Sequence, residues 1–465
     1  MTLTATAAEL WRADYTYVEE NHVRRVEKRT TALGEENVRL EVKESWLGTA
    51  PNVYARGRLK MKQGMDGIQT HYFYEETDQY GALYKVTAET RIAGESVPGL
   101  SSRKVTYVSG QGNNMRYEQY ARLADGAWSM TDASSYEYDV ENRWVKRTRA
   151  NGRVYERMMT CCGPLWERDE NGVTTSYSYN TARQLVETIR SAVADGETMI
   201  TPETITSYTR DALGKITSLR RDAGPMTTVE SREYDLLGRL IRETDILGRT
   251  TVRSYSGDGL VETVTTPAGA TLITRKSPSG AVVRRYGTGQ QDILYTVEAT
   301  AEGIRTTEAV PGGEGGAPRV VTGSSTVNGF GDLVRIAAAN TLNGENVRTL
   351  AYDDKGRLIR EQLADMAPTL YAYDAFGNRT RAIVALEDEP TILNSRITDY
   401  AYVAESREDG IYRLVSITSY TSSGTPVLQK RAALLSALSS VLAGKTVMTD
   451  PRGHDTCLLY TSDAA

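Results

Sequence analysis

The sequence predicts an all-β fold in which antiparallel β-hairpin repeats form a spiralling sheet, with one short helix near the C-terminus. A short phrase recurs along the chain: an aromatic residue, Asp, two variable residues, Gly, Arg or a substitute, and an apolar residue. A second phrase (Asp, two residues, Gly, two residues, Thr) falls between copies of the first. The aromatic residues are mostly Tyr, with 28 Tyr against 5 Trp and 3 Phe. Because Tyr has an apolar ring and a polar hydroxyl, this bias favours sheet faces that are partly exposed to solvent over a single apolar core.

Three copies of the first phrase are nearly complete, and they begin at Tyr234, Tyr352 and Tyr373. Self-similarity with a period of about 21 residues is typical of stacked repeats. From the two phrases we predict structural turn residues at Tyr234, Asp235, Gly238, Arg239, Asp245, Gly248, Tyr352, Asp353, Gly356, Arg357, Tyr373, Asp374 and Gly377.

Each phrase predicts a tight turn between two strands. Asp-x-x-Gly matches a type I β-turn with Asp at its first position and Gly at its fourth. The Asp side chain can accept hydrogen bonds from backbone amides, and Gly can adopt the positive φ that starts a bulge. Residues alternate in character before the turn, in Ser231–Tyr234, and after it, in Leu240–Arg242. Each repeat is therefore predicted to be two short strands and two turns.

A single hairpin cannot bury a face, so the repeats are expected to stack edge to edge into one continuous sheet. Twist accumulates with every added strand, and a long ribbon of hairpins curls. The sequence does not indicate whether the curled sheet closes. Weaker copies that extend the array begin at Tyr138, Tyr179, Arg210, Tyr255 and Asn328.

We predict three regions along the chain. Residues 1–135 form irregular antiparallel sheet, because alternation is strong there but the phrase is absent, and decayed repeats are an open alternative for this region. Residues 136–424 form the repeat array, and residues 425–465 contain a helix-like segment and a truncated repeat with an atypical tail. Helical spacing of apolar residues and a terminal Gly predict that helix at Leu428, Leu434, Leu435, Leu438, Val441, Leu442 and Gly444.

Composition and charge exclude several classes of protein. Lys and Arg total 55 against 60 Asp and Glu, and the two signs are interspersed. This balance provides no footprint for nucleic acid. The longest apolar stretch, Ala432–Gly444, is shorter than the ~20 residues a membrane-spanning helix needs. Residues Met1–Ala8 lack the basic start and apolar core of a signal peptide.

The sequence predicts no catalytic, cofactor-binding or metal-binding residues, and hence a non-enzymatic protein. His22, His71 and His454 are too few and too scattered for a triad or a metal site. The regularly spaced carboxylates occupy the first turn position, where they bond to the backbone. Cys161 and Cys162 are interpreted as two ordinary thiols at a turn, because a disulfide between adjacent residues, with Cα atoms ~3.8 Å apart, would be strained.

The basic residue of the phrase has two interpretations. Arg239, Arg357 and the equivalent Lys215 could line a surface that binds acidic cargo. Alternatively, they could pair across strands with neighbouring acids, as charged residues often do in sheets. We favour the second interpretation.

The two alternating phrases resemble those of the Rhs/YD-repeat family over residues 136–380, and more faintly to residue 420. That family includes bacterial polymorphic toxins, the cocoon-forming subunits of insecticidal Tc toxin complexes and animal teneurins. The resemblance implies a hollow β-sheet shell, which in the toxin members encloses a C-terminal toxic domain released by self-cleavage. It therefore implies a secreted or cell-surface scaffold whose partner is an enclosed toxin or effector domain, absent from this chain, or a cell-surface partner. A cell-surface adhesion or carbohydrate-binding repeat module is the alternative function.

The C-terminal residues carry a similar-looking cleavage motif and an atypical end. Asp450, Pro451 and Gly453 look like the motif that ends the self-cleaving core of the family. However, Asp450, Gly453 and Thr456 also fit the second turn phrase, so we interpret them as a turn. Residues Cys457–Ala465 break the alternation and resemble translated sequencing-adapter read-through. We therefore expect an incomplete chain, and a genuine short tail is the alternative.

Overall fold

Antiparallel strands make up almost all of the computed structural model. Within the described residues there are 37 strands and a single 3-10 turn, Gln79–Gly81. The all-β prediction is therefore confirmed. The described residues are 11–32, 37–195, 198–311, 320–340, 344–364, 366–385, 395–407, 410–420, 424–437, 445–449 and 455–459.

The strands are short and follow one another closely along the chain. The first nine are β1 Trp11–Glu20, β2 Val23–Ala32, β3 Arg39–Trp46, β4 Leu59–Gln63, β5 Gln69–Glu76, β6 Tyr84–Arg91, β7 Ser102–Val108, β8 Asn114–Arg122 and β9 Trp128–Tyr138. The next fifteen are β10 Trp144–Arg149, β11 Val154–Met159, β12 Pro164–Arg168, β13 Thr174–Tyr179, β14 Leu185–Arg190, β15 Val193–Asp195, β16 Thr198–Thr201, β17 Thr204–Arg210, β18 Ile216–Ala223, β19 Met226–Tyr234, β20 Leu240–Thr244, β21 Thr250–Tyr255, β22 Val261–Thr265, β23 Thr271–Lys276 and β24 Val282–Tyr286. The last thirteen are β25 Ile293–Thr300, β26 Gly303–Val310, β27 Val320–Val327, β28 Leu333–Asn340, β29 Gly344–Tyr352, β30 Leu358–Leu363, β31 Thr369–Tyr373, β32 Arg379–Ala385, β33 Ser395–Arg407, β34 Gly410–Tyr420, β35 Pro426–Ala437, β36 Lys445–Thr449 and β37 Asp455–Leu459.

One sheet of 35 strands contains all but two of these elements. Each strand in it pairs antiparallel with the strands before and after it in sequence, as β19 does with β18 and β20. The two exceptions, β15 and β16, pair with each other as a small hairpin inserted between β14 and β17. The sheet is therefore a long meander, as expected for hairpin repeats stacked in chain order.

Because successive strands run in opposite directions, the turns alternate between the two edges of the sheet. Turns of the Tyr-Asp phrase, such as residues 235–239 between β19 and β20, lie on one edge, which we call the repeat edge. Turns of the second phrase, such as residues 245–249 between β20 and β21, lie on the opposite edge. The repeat phrase thus places its Tyr, Asp and Arg residues in a row along a single edge.

The chain exposes far more surface than a compact protein of its mass. Its accessible surface is 27974 Å², whereas a folded monomer of 51.3 kDa exposes about 17,000 Å². Among the described residues, the only buried apolar cluster consists of Ala82, Val105 and Tyr107, with Tyr120 packed against it. Most strand residues are half-buried on both faces, which is the pattern of a sheet one layer thick.

The sheet curls until distant parts of the chain touch. The guanidinium of Arg39 pairs with the carboxylate of Asp332 and lies 4.0 Å from the centre of the Phe330 ring. The Asn37 side-chain amide donates to the Tyr352 carbonyl over 3.5 Å. We call these five residues the seam. In a flat sheet with ~4.8 Å between strands, its two sides would lie roughly 110 Å apart.

The seam joins the two edges of the sheet, one winding apart. Arg39 begins β3 at the opposite edge, and Asp332 lies in the repeat-edge turn between β27 and β28. The two edges also approach each other two strands further along the chain. Gly67 lies in the opposite-edge turn between β4 and β5, and a Cβ at this position would be 3.3 Å from the side chain of Lys355, in the repeat-edge turn between β29 and β30. The sheet therefore spirals, and the opposite edge of the first winding meets the repeat edge of the next.

The helix predicted near the C-terminus is wrong for residues 426–437, which form β35. This strand pairs with β34 along most of its length and with β36 at residues 430–433. Backbone pairing with two neighbouring strands outweighs the helical spacing of Leu428 and Leu434, since local preference is routinely overridden by tertiary contacts. The remaining predicted helical positions, Leu438, Val441, Leu442 and Gly444, lie outside the described residues.

None of the helical segments in the described residues combines the length and the apolar composition needed to cross a bilayer.

Candidate functional site

The turn that begins at Asp235 is a compact, hydrogen-bonded unit. The Gly238 N–H donates to the Asp235 carbonyl over 2.9 Å and closes the β-turn. Gly238 has a φ of +74°, in a region that costs other residues about 1–2 kcal/mol. Oδ1 of Asp235 accepts the N–H groups of Leu237 (3.0 Å) and Arg239 (2.8 Å). The Asp side chain thus supplies the acceptor that these turn amides lack within the sheet.

A bulge follows this turn and fixes which residues face each other. Tyr234 pairs with Leu240, and the register shifts between Glu233 and Tyr234. The same shift occurs at Tyr352 and at Tyr373. The phrase therefore specifies both the turn and the offset with which its two strands pair.

The arginine of the phrase connects its own turn to the next repeat. Arg239 Nε donates to Asp235 Oδ2 over 2.7 Å. Its Cζ lies 4.4 Å from the ring centre of Tyr255, the tyrosine of the following repeat. Such a cation–π contact contributes about 0.5–1 kcal/mol at exposed sites. The acidic partner of Arg239 is thus Asp235 in the same turn. Its partner on the neighbouring repeat is the aromatic ring of Tyr255 and not an acid.

The tyrosine of each repeat bonds to the backbone of the repeat before it. Tyr255 Oη donates to the carbonyl of Leu240 over 3.1 Å, and Tyr373 Oη donates to that of Leu358 over 2.8 Å. The acceptor is the first residue of the strand that follows the preceding repeat-edge turn. We call this hydrogen bond the inter-repeat contact. It is also made by Tyr138 to Asn114, Tyr179 to Pro164, Tyr234 to Ile216, Tyr352 to Leu333 and Tyr402 to Arg379.

Copies that depart from the phrase keep the same contacts with other residues. Arg210 occupies the tyrosine position, and its Nε donates to the Leu185 carbonyl over 3.1 Å. Asn142 and Arg183 occupy the glycine position with φ values of +60° and +61°. The geometry of the turn is therefore retained where the sequence signal fades.

The last two strong copies are joined directly to each other. Arg357 Nε donates to Asp353 Oδ2 over 2.7 Å, and its Nη1 donates to the Asp374 carbonyl over 2.8 Å. The same guanidinium lies 5.0 Å from the Tyr373 ring centre. The turn at Asp353 is thus tied to the turn at Asp374 through a single arginine. The corresponding glycines, Gly356 and Gly377, have φ values of +76° and +79°.

The second phrase forms the same turn on the opposite edge. Gly248 N–H donates to the Asp245 carbonyl over 2.9 Å, and Gly248 has a φ of +76°. Asp245 Oδ1 accepts the N–H groups of Leu247 and Arg249. The Arg249 side chain is 62% exposed, whereas that of Arg239 is 35% exposed. Arg249 therefore projects further into solvent than Arg239 does.

Hydrogen bonding keeps the turn carboxylates ionised. In Asp139, Asp235 and Asp245, bonds from the backbone N–H four residues later lower the pKa of the carboxyl group, with the arginine side chain as a further cause. Burial alone would raise the pKa of Asp353, but the bonds from Arg357 outweigh it and the pKa is lowered. Carboxylates held in this way serve as turn acceptors, and their proton affinity is lower than a general acid at neutral pH requires.

Other titratable residues from the sequence analysis do not converge. His71 contacts Gln69 over 3.0 Å, and burial lowers the pKa of its imidazole. His22 contacts Thr49 over 3.0 Å. No cluster of three or more His, Cys, Asp and Glu side chains occurs in the described part of the chain. Asp450, interpreted from the sequence as part of a turn, lies outside the described residues.

Comparison with known proteins places a family match on the best-formed repeat. Residues 234–271, which include the Asp235 and Asp245 turns, match the family model described as RHS Repeat. No curated protein matches the sequence. The class of protein is therefore an all-β repeat protein, and residues 234–271 carry an RHS repeat.

The chain also aligns with solved structures of Tc toxin components. One is the crystal structure of TcdB2-TccC3-TEV, with 10% identity, 92% of this chain and 33% of that chain covered, and a TM-score of 0.28. Another is TcdB2-TccC3 without its hypervariable C-terminal region, with 10% identity, 93% and 34% coverage, and a TM-score of 0.25. A third, the Photorhabdus luminescens Tc holotoxin pore, has 9% identity, 92% and 33% coverage, and a TM-score of 0.25. This chain spans about a third of the length of those chains, and its fold rests on its own strand pairing.

Proposed function

We propose that this Rhs-repeat scaffold forms part of the wall of a shell that encloses a C-terminal toxin or effector domain. The observation that carries the proposal is the seam, where Arg39 meets Asp332 after a full turn of the sheet. A single-layer sheet that curls through a turn and stacks on itself can surround a volume. The excess accessible surface is consistent with two solvated faces.

The repeats suit a wall because their hydrogen bonds are local. The turn at Asp235 is held by its own carboxylate, and this repeat is joined to the next one by Tyr255 and Arg239. Such nearest-neighbour stabilisation lets a scaffold grow without a central core. The enclosed partner and a secreted or cell-surface location are parts of this proposal.

Electron microscopy of the purified chain tests the shape. The proposal predicts two-dimensional class averages of a strongly curved wall one strand layer thick with an unfilled interior. Far-ultraviolet circular dichroism should show antiparallel β signal. Filled, compact particles or a helix-dominated spectrum would contradict a shell.

Protease protection tests the enclosed domain. The source gene is sequenced beyond codon 465, and the full product is expressed and digested alongside the downstream domain alone. The proposal predicts that the domain is degraded much more slowly within the full protein. An Arg39→Ala variant, which weakens the seam, should reduce the protection. The proposal would be contradicted if the domain were degraded at the same rate alone and within the full protein, or if the gene encoded no downstream domain.

A second candidate function, carbohydrate binding, is favoured by a cleft of about 470 Å³ on the sheet face of β5 to β8. Tyr107 and Tyr120 line it together with Glu118 and Arg103. Aromatic rings beside a few placed polar groups are typical of small-molecule sites. Glu118 is already bonded by Tyr120 (2.8 Å) and by Arg116 (2.7 Å), so a sugar would have to compete with these contacts. Binding on a glycan array that is lost in Tyr120→Ala and kept in Tyr15→Ala would favour it.

A further inference from the structure

Two cysteines lie side by side in a repeat-edge turn. Cys161 and Cys162 belong to the loop between β11 and β12, and their Sγ atoms are 3.1 Å apart. Both are free thiols. The Cys161 residue is exposed and Cys162 is half-buried. One thiol is therefore open to a reagent in solution, and the second is immediately behind it.

The turn holds the two side chains in this arrangement. Thr160 N–H donates to the Gly163 carbonyl over 2.7 Å, and Cys162 N–H donates to Thr160 Oγ1 over 3.2 Å. Gly163 has a φ of +148°, and a Cβ there would collide with the Tyr179 hydroxyl. The loop is shorter than the five-residue turns of the neighbouring repeats, which brings adjacent thiols together at its tip.

Neighbouring repeats fix this turn from both sides. Arg143, from the repeat before, donates through Nη1 to the Thr160 carbonyl over 2.9 Å. Tyr179, from the repeat after, makes the inter-repeat contact to Pro164 over 3.0 Å. The hydrogen bond with Cys161 raises the pKa of the Cys162 thiol, and the charge of Arg183 partly opposes this. Cys161 is therefore the thiol positioned to react first.

We propose that Cys161 and Cys162 are a redox modification site that forms a reversible vicinal disulfide with a small-molecule disulfide such as glutathione disulfide. The Cys161 thiolate attacks one sulfur of the oxidant, forms a mixed disulfide and releases one glutathione thiolate. The Cys162 thiolate then attacks Sγ of Cys161 and releases the second glutathione. The protein loses two protons and two electrons, and one glutathione disulfide becomes two glutathione thiols.

The second step is favoured by proximity. Its two sulfur atoms are already 3.1 Å apart, so it competes with attack by free glutathione at a high effective concentration. The product is strained, because adjacent Cα atoms are closer than disulfides usually allow. Strained disulfides have more oxidising potentials and are the labile ones. The bond should therefore be easily reversed by thiols, unlike a structural disulfide.

The test uses the full chain with Cys457→Ser, so that Cys161 and Cys162 are the two remaining thiols. The protein is incubated with glutathione disulfide at low protein concentration and then digested. The mass of the peptide that contains both cysteines is measured by mass spectrometry. The proposal predicts a peptide two hydrogens lighter, no free thiol, and full recovery of both thiols with dithiothreitol.

Two single variants in the same background serve as matched controls. Cys161→Ser and Cys162→Ser each leave one thiol and should give either a glutathione adduct or no modification. If the two-thiol protein instead carries one or two glutathione adducts, forms disulfide-linked dimers or keeps both thiols free, the proposal is overturned.

Discussion

Arg39 and Asp332 form an ion pair although 293 residues separate them in sequence. The Arg39 side chain is 10% exposed and that of Asp332 is 19% exposed. Phe330 covers the guanidinium on one side. The pair joins the first winding of the sheet to the next, so it converts a ribbon of local hairpins into a spiral with contact between windings.

Removal of Arg39 should loosen the seam selectively. Arg39→Ala leaves the Asp332 carboxylate half-buried without its partner, and we expect a cost of about 1–3 kcal/mol, below the 3–5 kcal/mol typical of fully buried pairs. Hydrogen exchange should accelerate in the turn at 328–332. Strands distant from the seam, such as β20, should be unchanged.

A surface ion pair provides the matched control. Arg12 pairs with Asp14 over 2.9 Å, and the two side chains are 63% and 56% exposed. Arg12→Ala should have almost no effect, because such pairs contribute about 0–1 kcal/mol. The double variant Arg39→Met with Asp332→Leu should recover part of the protection from hydrogen exchange that Arg39→Ala loses in the turn at 328–332. Equal effects of Arg39→Ala and Arg12→Ala would contradict a structural seam.

Loss of one tyrosine hydroxyl should weaken one junction between repeats. Tyr255→Phe removes the bond to the Leu240 carbonyl but keeps the ring beside Arg239, so we expect a local loss of about 1 kcal/mol. Hydrogen exchange within β20 and β21 measures this loss. Tyr15→Phe, at an exposed position in β1, is the control. Unaltered exchange in β20 would show that the inter-repeat contact carries no stability.

The turn carboxylates predict a loss of stability in acid. The pKa values of Asp139, Asp235, Asp245 and Asp353 are lowered in the folded chain. Their stabilising contribution is therefore complete above the unfolded pKa of about 3.9, and it is lost as pH falls through the lower folded values. Thermal unfolding midpoints measured between pH 7 and pH 2 should fall below about pH 4.

Replacement of one turn aspartate by asparagine isolates the contribution of its ionisation to stability. Asp235→Asn should be less stable than the wild-type chain at pH 7, and the difference should shrink as the wild-type Asp235 becomes protonated. The measurement is again the unfolding midpoint as a function of pH. A difference that stays constant down to pH 2 would show that ionisation of Asp235 does not stabilise the turn.

The glycine of the turn should tolerate Asn better than Ala. Gly248 has a φ of +76° with no atom within 4 Å of a built Cβ, so substitution tests backbone conformation alone. Gly248→Ala should cost about 1 kcal/mol, and Gly248→Asn should cost less, since Asn visits this region more readily. Gly48→Ala, also in open space, is the control. Equal costs for Ala and Asn at position 248 would contradict a backbone origin.

The turns could be predicted from sequence because the residues that define them are local. Asp235 and Gly238 act on amides within the same five residues, so the phrase alone specifies the geometry. The strands followed from the alternation between turns. The acceptor of Tyr255 could not be predicted, because it is the backbone carbonyl of Leu240, and any residue supplies one.

The seam and the C-terminal strand required three-dimensional information. Nothing in the sequence around Arg39 distinguishes it from the many other arginines, and its pairing with Asp332 depends on the accumulated curvature of the whole sheet. In β35, the spacing of Leu428 and Leu434 fits a helix as well as a strand. The adjacent strands β34 and β36 decide the outcome.

A spin-label distance across the seam tests the spiral most directly. Labels are attached to Val38→Cys and Asp354→Cys, two positions beside the seam, in a chain whose three natural cysteines are replaced by serine. The curled sheet predicts a short, narrow distance distribution, which Arg39→Ala should broaden. A distribution extending toward the roughly 110 Å of an uncurled sheet, at ~4.8 Å per strand, would contradict the spiral.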